Sequence, residues 1–370
     1  MTTARRIVIA PDSFKGSIPA AEAAVAIAEG WVRRRPTDHV VLRPMADGGE
    51  GTLDAFEKAV PGAERVPVRV TGPARVPVDA FWVRLPATDA LPGGVGVVEL
   101  ASTSGIELLG DDRHPLTAST LGFGQAIAAA LDAGVSRLVV GIGSSASTDG
   151  GVGMLTALGA RFMNDFGASV PPGVDGLGEI TTLDLTALRP PPAGGITVLS
   201  DVTNPLLGET GAAAVFGPQK GLDSAGAARA EAGLAALARA ADSLDLAARA
   251  GAGAAGGTGF GLLLWGGQMV PGSAAIADLT GLARDLDGAD LVITGEGRYD
   301  GQSAAGKAPA HVAALAAEAG APVALVAGVI DGDASAFRRA VSLTDLAGSV
   351  SAALAEPDRW LRAAGATLAD

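Results

Sequence analysis

With 370 residues the chain is long enough for two domains, each with a sizeable core, and its 48% apolar and 18% charged residues describe a folded soluble protein and exclude a disordered one. The absence of cysteine removes disulfides, thiol nucleophiles and thiolate-ligated zinc, and it fits a reducing compartment such as the cytoplasm. A net charge of −13 argues against nucleic acid as a partner, since backbone phosphates need a positive face, but a few local cations suffice for a small anion.

Arg5 to Ala10 reads as a short buried strand, and Pro11-Asp12-Ser13-Phe14-Lys15-Gly16-Ser17 as the loop after it. A helix follows, with Ser17 as its expected cap, Pro19 in its first turn and Ala24, Ile27, Ala28 and Trp31 at helical spacing. His39 to Met45 is the next strand, so residues 5 to 45 form a β-α-β unit. That strand empties into Ala46-Asp47-Gly48-Gly49-Glu50-Gly51-Thr52 and another helix. From Val66 to Leu85 short Val-rich runs broken by Thr71-Gly72-Pro73 and Pro77 read as antiparallel strands.

Val95 to Leu100 is a strand, Thr120 to Ala133 a helix, and Ser136 to Ile142 a strand opening into Gly143-Ser144-Ser145-Ala146-Ser147-Thr148-Asp149-Gly150-Gly151. Ile196 to Ser200 is a strand ending in Asp201-Val202-Thr203-Asn204-Pro205, with Gly217-Pro218-Gln219-Lys220-Gly221 further on. Residues 224 to 250 read as Ala-rich helix. The uncharged stretch from Ala250 to Ala277 is long enough to span a membrane but too rich in glycine to be a good span. A buried strand then runs over 290 to 294, and Gly295-Glu296-Gly297-Arg298-Tyr299-Asp300-Gly301-Gln302-Ser303 with Gly306-Lys307 reads as a loop before a helix from Ala308. The next strand is Val323 to Ala327, and helices finish the chain.

The two ends of the chain therefore look alike. The expected fold is α/β with two domains: a discontinuous Rossmann-like parallel-sheet domain from residues 1–68 and 287–370, and an inserted α/β domain with a mixed sheet over 69–286. The active site is expected in the cleft between them.

Six expected strands end in a loop carrying Asp with Gly, Ser or Asn: Asp12, Asp47, Asp149, Asp201, Asp300 and Asp331. One such Asp is usually a turn or cap residue, but six at strand ends can share a crevice. Of 27 basic residues only four are lysine, and three of these, Lys15, Lys220 and Lys307, lie in Gly/Ser-rich turns where a compact charge suits phosphate. Gly143-Ser144-Ser145 and Gly256-Gly257-Thr258-Gly259 could each cradle phosphate through backbone N–H groups. There is neither a Walker A sequence nor a Gly-x-Gly-x-x-Gly fingerprint after the first strand, and three histidines without ligand spacing disfavour a Ser-His hydrolase. An acidic, lysine-bearing, histidine-poor site suits phosphoryl transfer, and the residues alone stop at an anion or nucleotide site.

The segments 10–17, 44–52, 141–159, 200–206 with 216–221, and 295–307 resemble, in order, the bacterial-type glycerate kinase family. The resemblance implies ATP-dependent phosphorylation of D-glycerate with Mg2+ and 2-phosphoglycerate as the associated product. The expected partners are D-glycerate and ATP, with no nucleic acid and no membrane, and a homodimer is compatible with the sequence. It further implies Lys15, Lys220 and Arg298 on the glycerate carboxylate and transferring phosphate, with Asp12, Ser13 and Asn204 beside the substrate. Asp47 or Asp201 would be the base; Asp300 and Lys307 would handle metal and nucleotide phosphate, with Asp149 as a second metal candidate and Gly143, Ser144, Ser145, Gly256 and Gly257 around the nucleotide. One departure stands out: the family usually reads Gly-Gly-Ser-Ala-Thr-Asn-Asp where this chain has Gly143-Ser144-Ser145-Ala146-Ser147-Thr148-Asp149. The alternatives are a non-catalytic binding protein for an anionic sugar acid and a hydroxy-acid dehydrogenase. The sharpest expectation is spatial: Arg298 and Asp300 face Asp12, Lys15 and Asp47 across one cleft.

Overall fold

The computed structural model describes residues 4–14, 16–46, 48–300 and 308–370. Lys15, Asp47 and Lys307 lie outside the described residues. The chain divides into two compact units: residues 1–47, 54–61 and 272–370 form the first, and 48–53 with 62–271 the second. The architecture is α/β, as expected, with one parallel and one mixed sheet. The boundaries fall elsewhere than the sequence suggests. The cut expected at 68 would have divided a strand that pairs along its whole length, and the helices over 272–286 belong with the first unit.

In the first unit, β1 (Arg6–Pro11) and β2 (His39–Leu42) come from the N-terminal part of the chain. In the second unit the strands are β3 (Glu64–Thr71), β4 (Pro77–Leu85), β5 (Val95–Glu99), β6 (Arg137–Gly141), β7 (Arg161–Met163), β8 (Thr182–Asp184), β9 (Ile196–Leu199) and β10 (Gln268–Val270). The chain then returns to the first unit with β11 (Leu291–Tyr299), β12 (Val323–Ile330) and β13 (Arg339–Ser342).

The five-stranded sheet has the order β13-β12-β11-β1-β2 and is parallel throughout. Its strands read as unbroken apolar runs because helices cover both faces of such a sheet: Ile7, Val8 and Ile9 are fully buried, as are Val292 and Ile293. Ile27 and Trp31 of the helix Ala20–Arg34 pack in one core with Leu361, Ala364 and Leu368 of the helix Pro357–Ala369. Pro19, and not Ser17, stands at the N-cap of the first helix, with no side-chain cap.

The second unit is built on the six-stranded sheet β10-β9-β6-β5-β4-β3, parallel from β10 to β5 and antiparallel from β5 to β3. Its core gathers Phe123, Ile127, Leu138, Val140, Met154, Leu234 and Phe260 among others. The uncharged stretch after Ala250 forms the helix Ala254–Leu264, and no helix among the described residues is long and apolar enough to cross a membrane.

One strand is longer than its sequence implies. β11 continues through Tyr299, with Gly295, Glu296, Arg298 and Tyr299 registered on Val326, Ala327, Val329 and Ile330. Two glycines suggest a loop, but the buried ring of Tyr299 meets Phe337 edge-on, centroids 5.4 Å apart, and anchors the extension. Burial, then the Glu296 and Asp333 carboxylates, hold the Tyr299 phenol above its usual range.

Candidate active site

The path of the chain across the parallel sheet reverses between β1 and β11: β2 lies on one side of β1, and β11, β12 and β13 follow on the other. Open α/β sheets bind ligands outside the carboxyl ends of their strands at such a reversal. A cavity of about 340 Å3 lies there, within the first unit, and within the usual size range for small-molecule sites. Asp12, Ser13, Glu296, Arg298 and Asp300 line its polar part, and Val329, Leu343, Val350 and Leu354 are among its apolar lining.

Asp12 follows β1 directly and is buried; its carboxylate accepts a hydrogen bond of 2.7 Å from the adjacent Ser13 amide. Glu296, Arg298 and Asp300 alternate along and just beyond β11. Side chains two apart in an extended chain share a face, so the strand aims all three at one cavity. The Arg298 guanidinium, largely exposed, bonds the Asp331 carboxylate. Of the expected site residues, Asp12, Ser13, Arg298 and Asp300 are thus brought together. Glu296 was missed, although the alternation that places it was visible once the segment is taken as strand.

The second unit treats its expected site residues differently. Asp149, after β6, is fully buried and accepts hydrogen bonds from the Thr120 amide and hydroxyl at 2.8 and 2.9 Å, the Gly151 and Gly153 amides at 3.1 and 3.2 Å, and the Ser147 hydroxyl at 3.3 Å. Five donors occupy the carboxylate, and Asp149 fastens its loop to the start of the helix Val152–Ala157. Among the described residues, no three acidic or histidine side chains are grouped to hold a metal ion.

Lys220 is likewise interior. Its ammonium donates to the Ser145 hydroxyl at 2.7 Å and to the Ser147 carbonyl at 2.5 Å, and desolvation, partly opposed by Asp149, pushes its pKa down to about 7. Lys220, expected on the substrate, ties the 217–221 turn to the 144–149 loop. The third participant is the run Ala255, Gly256, Gly257, all in the left-handed region, with φ of 54°, 66° and 86°. A Cβ on Gly256 would stand 2.1 Å from the Ser147 carbonyl oxygen and 2.8 Å from Lys220 Nζ. Gly256 and Gly257 are buried, and Gly256 lets the backbone pack closely against this loop.

Gly143 donates its amide to Gly48 at 3.0 Å, and a Cβ there would meet Gly49 Cα at 2.5 Å, so this glycine permits two loops to touch. Ser145 spends its hydroxyl on Lys220. Ser144 is exposed at φ 57°, its carbonyl accepting from the Ile106 amide at 2.8 Å. The family's usual glycine suits that left-handed backbone, and serine is held there against its preference. Ser144→Gly is accordingly expected to raise the unfolding free energy by about 1 kcal/mol in a urea titration. Asn204 donates its side-chain amide to the Thr210 carbonyl at 2.7 Å, within its own loop. Asp201, two residues past β9, is exposed.

The family model described as Glycerate kinase family matches residues 7–370. The chain belongs to the glycerate kinase family. An uncharacterized protein of Mycobacterium bovis is 42% identical over 364 residues, 95% of this chain and 88% of the relative. A glycerate kinase of Halalkalibacterium halodurans is 40% identical over 330 residues, 87% of this chain and 85% of the relative. The glycerate 2-kinase of Escherichia coli K12 is 39% identical over 334 residues, 89% and 86% of the two chains. The crystal structure of a protein provisionally named glycerate kinase 2, from Salmonella typhimurium LT2, aligns with a TM-score of 0.83 at 38% identity, covering 99% of this chain and 98% of that one. Membership in the glycerate kinase family makes the protein a kinase and sets aside the readings as dehydrogenase and as non-catalytic binding protein.

Proposed function

We propose that the protein transfers the γ-phosphoryl group of ATP to the 2-hydroxyl of D-glycerate, giving 2-phospho-D-glycerate and ADP. The observation that carries this reading is the cavity at the ends of β1 and β11, where Asp12, Ser13, Arg298 and Asp300 converge beside an apolar wall. A three-carbon hydroxy acid has little apolar surface to bury, whereas a purine ring has two faces. Val329, Leu343 and Leu354 suit the base, and the polar end suits the phosphates.

Mg2+ is bound by one or two carboxylates together with phosphate oxygens and water, and two aspartates in one cavity, Asp12 and Asp300, fit that demand. When bound, the ion neutralises charge developing on the phosphate oxygens. Arg298, with Lys15 and Lys307, supplies the remaining positive charge toward the glycerate carboxylate and the moving phosphoryl group. The acceptor hydroxyl gives its proton to a carboxylate, Asp47 or Asp201, as its oxygen bonds the γ-phosphorus and the bond to the leaving oxygen of ADP breaks. Asp201→Asn is expected to lower kcat by roughly 10²–10⁴ with little change in the unfolding midpoint. Unaltered turnover would remove Asp201 and leave Asp47.

Incubation with ATP, Mg2+ and D-glycerate, followed by enolase and pyruvate kinase without a mutase, tests the whole reaction. Pyruvate is expected. Pyruvate that appears only when a mutase is added would overturn the 2-phosphate assignment, and none in either case would overturn glycerate phosphorylation.

A further inference from the structure

The second unit contains a cavity of about 250 Å3 that shares no residue with the one at β1 and β11. Two arginines are among its lining residues, Arg75 in the turn between β3 and β4 and Arg161 on β7, and no acidic residue is. In a chain of net charge −13 this is an unusual local balance. Neither arginine is held in an ion pair among the described residues. Asp184, opposite Arg161 in the β7–β8 pair, feels its charge, but that carboxylate accepts from the amide and hydroxyl of Thr186. Arg75 is set at φ 63°, in the left-handed region, by a turn in which its amide donates to the Gly72 carbonyl at 2.9 Å.

Between the arginines the wall is mixed: Phe162, Val170 and Leu121 supply apolar surface, while Ser119, Thr156 and Ser169 add hydroxyls. Guanidinium groups bind carboxylate and phosphate through paired N–H donors, and an apolar wall asks for a carbon body behind the anion. The absence of acids from the lining disfavours a metal cation. We infer that this cavity is a second binding site, for a small organic anion, a carboxylate or a phosphate monoester, that carries an apolar body.

The site touches the machinery of the 143–151 loop directly. Gly153 lines the cavity and donates its amide to Asp149, and Ser119 and Leu121, also in the lining, flank Thr120, which gives Asp149 two further hydrogen bonds. A ligand seated against Ser119 and Gly153 therefore stiffens the segment that holds Asp149 in place.

Calorimetry on the full chain with benzoate and with phenyl phosphate, each against neutral benzyl alcohol, tests this. Saturable binding of at least one anion at a single site is expected, with benzyl alcohol, Arg75→Ala and Arg161→Ala each weakening it by roughly tenfold or more. Arg75→Lys, which keeps the charge but loses the paired N–H fork, should bind more tightly than Arg75→Ala and less tightly than the wild type, and hydrogen exchange should slow at the amides of 149–156 in the complex. Which anion binds decides between carboxylate and phosphate. Three results would overturn the inference: no saturable binding of either anion up to about 10 mM, affinity unchanged in the double alanine variant, or displacement of the anion by saturating D-glycerate and ATP. Both arginines are exposed, so their replacement leaves the core intact.

Discussion

Replacing Asp149 with alanine is expected to cost about 3–5 kcal/mol of folding free energy, because five donors lose their acceptor at once inside the second unit. A domain of this kind has on the order of 5–15 kcal/mol in total, so the loss takes a large share of it. Asp149→Asn keeps one carbonyl acceptor but turns the other position into a donor facing donors, and about half the cost should return. Urea unfolding of the variants measures both. A metal ligand would behave otherwise: its loss would leave the unfolding midpoint nearly in place and shift the Mg2+ concentration needed for turnover. An unchanged midpoint in Asp149→Ala would sink the structural role.

The second large effect is a pH dependence. Lys220 has a folded pKa of about 7, below its ordinary 10.5, since burial disfavours the ammonium. Between these values the unfolded chain holds a proton that the folded chain lacks, so stability rises with pH across this window and levels off above it. Below about 7 both states hold the proton and the penalty of the buried ammonium is at its full size. Lys220→Met keeps the volume and removes the titration. The stability of wild type relative to Lys220→Met should therefore improve by roughly 3 kcal/mol between about pH 6 and about pH 9.5, as read from paired urea titrations. Other alkaline groups cancel in the difference. A difference that stays constant would mean that Lys220 keeps its proton throughout, in partnership with Asp149.

Both expectations come from residues whose place in the fold the sequence only partly discloses. The strands β1 and β11 were legible because Ile7 to Ala10 and Leu291 to Ile293 are unbroken apolar runs, which a parallel sheet covered on both faces requires. The aspartates after them were legible for the same reason, as the first polar residues past a buried strand. Lys220 was not, because its neighbours Gly217, Pro218 and Gly221 have the composition of an exposed turn. Its burial is decided by Ser145 and Ser147, 75 and 73 positions away. Gly256 is ambiguous in the same manner: a glycine that lets a backbone approach a ligand and one that lets it approach another loop look identical in sequence. Glu296 was hidden by a different error, in which glycines on either side masked the alternation of a strand.

The sheet order of the first unit also bears on how the molecule is made. β1 cannot acquire its neighbour β11 until more than three quarters of the chain exists; the hydrogen bond from the Thr294 hydroxyl to the Ala10 carbonyl joins positions 284 apart. Residues 62–271, by contrast, are contiguous and contain nearly all of the second unit. On the ribosome the later-starting unit is therefore complete first, and the N-terminal segment waits, with one edge of a very apolar strand unpaired, for the last hundred residues to be synthesised. Nascent chains released before residue 291 would carry a finished second unit joined to a strand with an open edge, and these are the species for which a chaperone has something to hold.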